Sequence, residues 1–80
     1  MFKSVAYDSL NKQVDGTHYK GMKIQPAHFI NENGLPFAEG NAIKYICRHK
    51  AKGKKKDIEK AIHYLEMIIE IIVNAHILVE

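Results

Sequence analysis

Asn41, Lys44, Tyr45, Arg48 and Lys52 recur at steps of three and four. On a helix that spacing puts them on one stripe. Lys44, Arg48 and Lys52 are then cations one turn apart with no acid between them. Such a row costs roughly a few tenths of a kcal/mol per like-charged pair on an isolated helix. An anion lying on the row removes that cost. Arginine grips a phosphate with two parallel bonds, and lysine meets it as a point charge. The stripe therefore predicts an anion site. The plainer reading is a solvated surface with Glu39 and Asp57 as neighbours.

Asp57, Lys60, His63 and Tyr64 form a second polar stripe further along the chain. A helical hairpin turning at Gly53 would bring the two stripes together near the turn. Asp57 would then orient a lysine or arginine, or accept from a ribose hydroxyl. Its plainer role is a surface salt bridge, which contributes little. His18 and Tyr19 sit in a glycine-flanked loop. They can stack on a base or touch a phosphate, or simply pack the loop.

The elements that must position these residues are helices. Residues 1–14 carry weak pattern and read as an N-terminal arm. Residues 15–80 read as a single helical domain that carries the anion site. The stretch from Asp15 to Pro26 reads as an ordered loop. A first, short helix starts at Pro26, a residue suited to the first turn, and ends near Asn33-Gly34. A second runs from about Phe37 to Lys52 and is closed by Gly53. Its expected core face is Phe37, Ile43, Ile46 and Cys47. A third starts near Lys55, with Asp57 suited to its first turn, and continues to near the C-terminus. Ile58, Ala61, Ile62, Leu65, Ile68, Ile69 and Ile72 recur at helical spacing and predict its core face. The fold class is thus mainly α: a helix-turn-helix hairpin of two longer helices plus a short one. Beyond Ile68 the third helix is apolar nearly all round. A domain of this size cannot cover that surface alone, so oligomerisation through the C-terminal helix is expected.

The eighty residues are 46% hydrophobic and 26% charged, a globular composition that argues against disorder. The net charge is only +3 and the pI about 9.0. But eight of the twelve lysines and arginines lie between Lys44 and Lys60. That local field favours phosphates, nucleic acid or an acidic membrane surface. Cys47 is the single cysteine, so no intrachain disulfide can form, which fits a reducing cytosol. The first sixteen residues hold no apolar segment of the kind a signal peptide needs. Glu66, Glu70, Asn74 and His76 interrupt the apolar C-terminal stretch, which does not read as a membrane span.

Absent motifs narrow the chemistry further. GKKKD lacks the earlier glycine of a P-loop, and no GxGxxG, HExxH or nucleophile elbow occurs. His28, His49, His63 and His76 make no metal-ligand spacing with Cys47 or the acids. The Glu66/Glu70 pair alone is a common surface spacing. No metal and no other cofactor is expected.

THY, IQPAHFI, FAEGNAIKYICRHKAKG and DIEKAIHYLEMIIE occur here in that order. This combination resembles a small bacteriophage family, long labelled a domain of unknown function, whose members are often described as nucleotide kinase. The resemblance runs from about Asp15 to Glu70. His18, Tyr19, Pro26, Gly40, Asn41, Lys44, Tyr45, Arg48, Lys52, Asp57, Lys60 and Tyr64 match its pattern. The family's acid before His-Tyr is Thr17 here. The resemblance implies an oligomeric phage protein in the cytoplasm of the infected cell. It implies phosphate transfer between nucleotides with neither a P-loop nor a metal. Lys44, Arg48 and Asp57 would then be catalytic. His18, Tyr19, Asn41, Tyr45, Lys52, Lys60 and Tyr64 would complete the nucleotide site. Arginine and lysine can supply the positioning and charge stabilisation such transfer needs.

Three classes of function follow. The leading expectation is a P-loop-less nucleoside monophosphate kinase or phosphotransferase. The second is an oligomer that captures a mono- or triphosphate, or a host signalling nucleotide during phage defence, and does not turn it over. The third is a nucleic-acid binder that uses the lysine run as a phosphate track. Such a track needs stacking aromatics, and only Tyr45 and Tyr64 are near. Nucleotide pyrophosphohydrolysis would require Glu39, Asp57, Glu66 and Glu70 to converge on magnesium, and the basic stripe argues against it. The expected partners are a nucleotide and further copies of the chain, not a membrane.

Overall fold

The computed structural model describes Tyr19 and residues 21–79, with side-chain surroundings defined up to Ala75. The expected N-terminal arm and His18 lie outside the described residues. Three helices follow one another: α1 (Pro26–Glu32), α2 (Phe37–Arg48) and α3 (Lys55–Val79). No strand occurs among the described residues. None of the described helices is long and apolar enough to cross a membrane.

α1 begins and ends where its sequence signals lie. Pro26 occupies the first turn, and Asn33 is the C-cap. Gly34 then adopts a left-handed φ of 61°. The Leu35 amide bonds the Ile30 carbonyl and the Gly34 amide bonds the Asn31 carbonyl. This is the paired closure of a Schellman motif, which needs a residue free to take positive φ. α1 packs on α2, and α2 packs on α3.

α2 differs from expectation at its end. It stops at Arg48, and turns occupy residues 49–54. The Ala51 and Lys52 amides both return to the Arg48 carbonyl, and the Lys54 amide returns to His49. The left-handed residue is Lys54, with φ 53°, and not Gly53. Gly53 serves close approach instead: a Cβ there would lie 2.1 Å from the Asp57 carboxylate. The chain leaves the helix early because it must wrap that carboxylate.

The core also differs. Among the described residues, the buried apolar side chains of α2 and α3 are Ala38, Ala42 and Ala61, with Pro26 buried in α1. Phe37 is 73% exposed and Ile46 is 46% exposed; Cys47 is exposed as well. Small side chains let α2 and α3 approach closely, which leaves the larger ones at the seam's edges. The expected core face of α3 divides accordingly. Ala61 is buried, and Ile58 and Ile68 are half-buried. Ile62, Leu65, Ile69 and Ile72 are exposed. Length explains part of this. At 1.5 Å per residue, α2 is about 18 Å long and α3 about 38 Å, so much of α3 has no helix to pack on.

Candidate functional site

Arg48 closes α2 and Asp57 stands in the first turn of α3. Arg48 Nε donates to Asp57 Oδ2 at 2.9 Å, and an Arg48 terminal nitrogen donates to Oδ1 at 3.1 Å. The Gly53 amide donates to Oδ2 at 3.0 Å. Asp57 is 1% exposed, so its charge is held almost out of water by these three bonds. The Arg48 hydrogen bond holds its carboxyl below the usual carboxylate range, against the opposing effect of burial. Asp57 in turn raises the Arg48 pKa. Tyr19 lies beside the same arginine: burial pushes its hydroxyl pKa up, and Arg48 opposes that.

Above this pair, three cations gather on one ring. Lys44 Nζ lies 4.7 Å from the Tyr45 ring centroid, Arg48 Cζ 4.8 Å, and Lys60 Nζ 5.2 Å. All three are within cation–π range. Tyr45 and Tyr64 are nearly parallel, with centroids 6.1 Å apart and planes at 10°. Tyr64 also meets Phe37 edge-on at 5.9 Å and His63 at 5.4 Å. Asp57 offsets the charge of Arg48. Among the described residues no carboxylate pairs with Lys44 or Lys60.

Two clefts flank this wall. One, between α1 and α2, has a volume of about 380 Å³. Ile30, Leu35, Pro36 and Phe37 give it apolar walls, and Tyr19, Gln25, Asn31, Asn41 and Lys44 add polar groups. Gly40 sets its floor, since a Cβ there would lie 2.9 Å from Ile30 Cγ2. The other cleft, about 340 Å³, lies along α2 and α3 between Tyr45, Lys56, Glu59, Lys60, His63 and Tyr64. No group of three or more metal-binding side chains occurs among the described residues.

The structure thus brings Tyr19, Asn41, Lys44, Tyr45, Arg48, Asp57, Lys60 and Tyr64 into one neighbourhood. Lys52 does not join them on a helical stripe, because α2 has ended before it; it is exposed in the turn. The paired edge of Arg48 faces Asp57 and not an open stripe. Phe37, Glu59 and Lys56 border the clefts although their spacing did not single them out. Hydropathy points Phe37 to the core, and no sequence signal marks its exposure.

No curated protein and no solved structure matches this chain. The nucleotide-kinase family expected from the resemblance is not upheld: the family model that matches is described only as a protein of unknown function. That match spans residues 14–66, more than half of the chain, which therefore belongs to the DUF3310 family.

Proposed function

We propose that this protein binds and retains a phosphate-bearing nucleotide at the surface where α2 meets α3. The convergence of Lys44, Arg48 and Lys60 on Tyr45 carries the reading. Three like charges so close together repel; Asp57 pairs directly with Arg48 alone and acts on Lys60 only through its field. A phosphate dianion over Lys44 and Lys60 would offset the other two. Charge-assisted bonds to such an anion are roughly twice as strong as neutral ones. Retention is favoured over transfer by the state of Asp57. Both its oxygens are engaged by Arg48 and Gly53, which suits a positioning role better than proton abstraction.

The test is a mass-spectrometric panel of nucleoside mono- and triphosphates and cyclic dinucleotides. Bound ligand is separated, released by denaturation and identified. The proposal predicts one class retained and recovered unchanged. New phosphorylated products would replace retention by transfer. No retention of any nucleotide would defeat the reading and bring nucleic acid forward through the exposed lysines of the turn.

The same proposal includes self-association through α3. Ile62, Leu65, Ile69 and Ile72 are exposed at alternating steps of three and four, the spacing of a coiled-coil seam. One seam position is Ile62 and Ile69 and the other is Leu65 and Ile72, an apolar set that suits helix association without fixing the number of helices. A second copy of the same helix offers the matching stripe.

A further inference from the structure

We propose that the cleft between α1 and α2 is the base subsite of the nucleotide site, with Phe37 as its stacking platform and Asn41 as the residue that reads the base edge. This rests on the nucleotide reading above and specifies which end of the ligand goes where.

The aromatic rings divide the work. The cations and Tyr64 already surround the Tyr45 ring. Tyr64 is approached by Tyr45, His63 and Phe37. Phe37 is largely open where Tyr45 and Tyr64 are half-buried: it touches Tyr64 edge-on and is 73% exposed. An open phenylalanine at the mouth of an apolar cleft is a π-face available to a flat ring, and base–aromatic stacking is sequence-tolerant. The cleft volume of about 380 Å³ falls within the usual range for small-molecule sites.

Asn41 supplies what the apolar walls cannot. It lines this cleft one turn before Lys44 and Tyr45 on the same face of α2. Its amide carries both a donor and an acceptor, the combination that hydrogen-bonds to base edges. Lys44 stands in both settings: it lines the apolar cleft and its ammonium lies over Tyr45. A nucleotide crossing Lys44 would place its base against Phe37 and Asn41 and its phosphate toward Lys60. Gly40 keeps the cleft open by allowing Ile30 to sit against the α2 backbone.

The experiment compares binding of the common ribonucleoside 5′-monophosphates with binding of ribose 5-phosphate by titration calorimetry. It uses the full chain and its Phe37→Ala, Asn41→Ala and Lys44→Ala variants, each checked for native helicity. The unaltered chain should bind its preferred monophosphate about tenfold or more tighter than ribose 5-phosphate. Phe37→Ala should erase most of that preference while leaving ribose 5-phosphate affinity unchanged. Asn41→Ala should narrow the differences among bases. Lys44→Ala should weaken both ligands. Equal affinity for the two ligands, with Lys44→Ala still weakening both, would overturn the base subsite and leave the nucleotide-phosphate site standing. A preference that survives both Phe37→Ala and Asn41→Ala would place the base elsewhere and overturn it too. If neither ligand binds, both proposals fall.

Discussion

The guanidinium of Arg48 holds the buried carboxylate of Asp57 by two parallel hydrogen bonds of 2.9 and 3.1 Å. This pair joins the end of α2 to the start of α3. It fixes the register that sets Lys60 and Tyr64 opposite Tyr45. Its two members are unequal, with Arg48 17% exposed at its side chain and Asp57 1%.

That inequality predicts an asymmetric mutational response. Arg48→Ala leaves a carboxylate buried without its cation, a change that typically costs about 3–5 kcal/mol. Asp57→Asn leaves a guanidinium that can reach water, and should cost less. Arg48→Lys keeps the charge but loses the parallel pair, so it should fall between. Urea unfolding followed by circular dichroism ranks the three. Equal stability of Arg48→Ala and the unaltered chain contradicts the lock.

Acid should weaken the fold through the same residue. The native Asp57 carboxyl is held below its ordinary value. Its contribution is fully present above the unfolded-state pKa of about 3.9. It declines as pH falls from there and is gone once pH has passed through the lower native value. Unfolding free energies across this acidic range should therefore fall less steeply for Asp57→Asn than for the unaltered chain. Parallel profiles would mean that other carboxylates account for the acid response.

Two glycines should respond to alanine for different reasons. Gly53→Ala places a Cβ 2.1 Å from the Asp57 carboxylate, so it breaks the lock by collision. Gly34→Ala meets no atom within 4 Å but must hold φ near +61°, a strain of about 1–2 kcal/mol. Gly21→Ala meets nothing within 4 Å and has no such φ, and serves as the control. Thermal unfolding should place Gly53→Ala lowest of the three and Gly21→Ala near the unaltered chain.

The α3 stripe makes a prediction about mass. Light scattering after gel filtration should give the unaltered chain a mass above its 9.2 kDa. Ile69→Glu introduces a charge at a side chain 60% exposed in the single chain, so the fold should survive and the association should not. A monomeric unaltered chain would remove self-association from the proposal.

Much of the frame was legible beforehand. Pro26 and Gly34 marked α1 because a fixed φ and a positive φ are local demands that few residues meet. Asp57 marked the start of α3 for a similar reason. The end of α2 was not legible from Gly53, because the need for glycine there comes from a carboxylate folded back against it. The core was misplaced for a related reason. Ala38 and Ala42 are buried but carry little hydropathy, while Phe37 and Ile46 carry more and lie at the edge; Ala61, expected in the core of α3, is buried there. In the candidate site, the Lys44–Tyr45–Arg48 spacing was visible in the sequence. Lys52 was added to it only by extending the helix too far. A hairpin turning at Gly53 was enough to expect Asp57 beside a lysine or arginine; that its partner is Arg48, and that Lys60 completes the cluster, depended on the hairpin's register. Spacing within a single helix cannot show that.

The most direct test of the central claim is the affinity of the retained nucleotide for Lys44→Gln, Lys60→Gln and the double variant, measured by titration calorimetry. Both lysines reach solvent, so the native fold should persist in all three. The account predicts a loss of about tenfold or more for each single change and near-complete loss for the double. Unaltered affinity in the double variant, with its helicity intact, would show that the cation cluster on Tyr45 is not where phosphate binds.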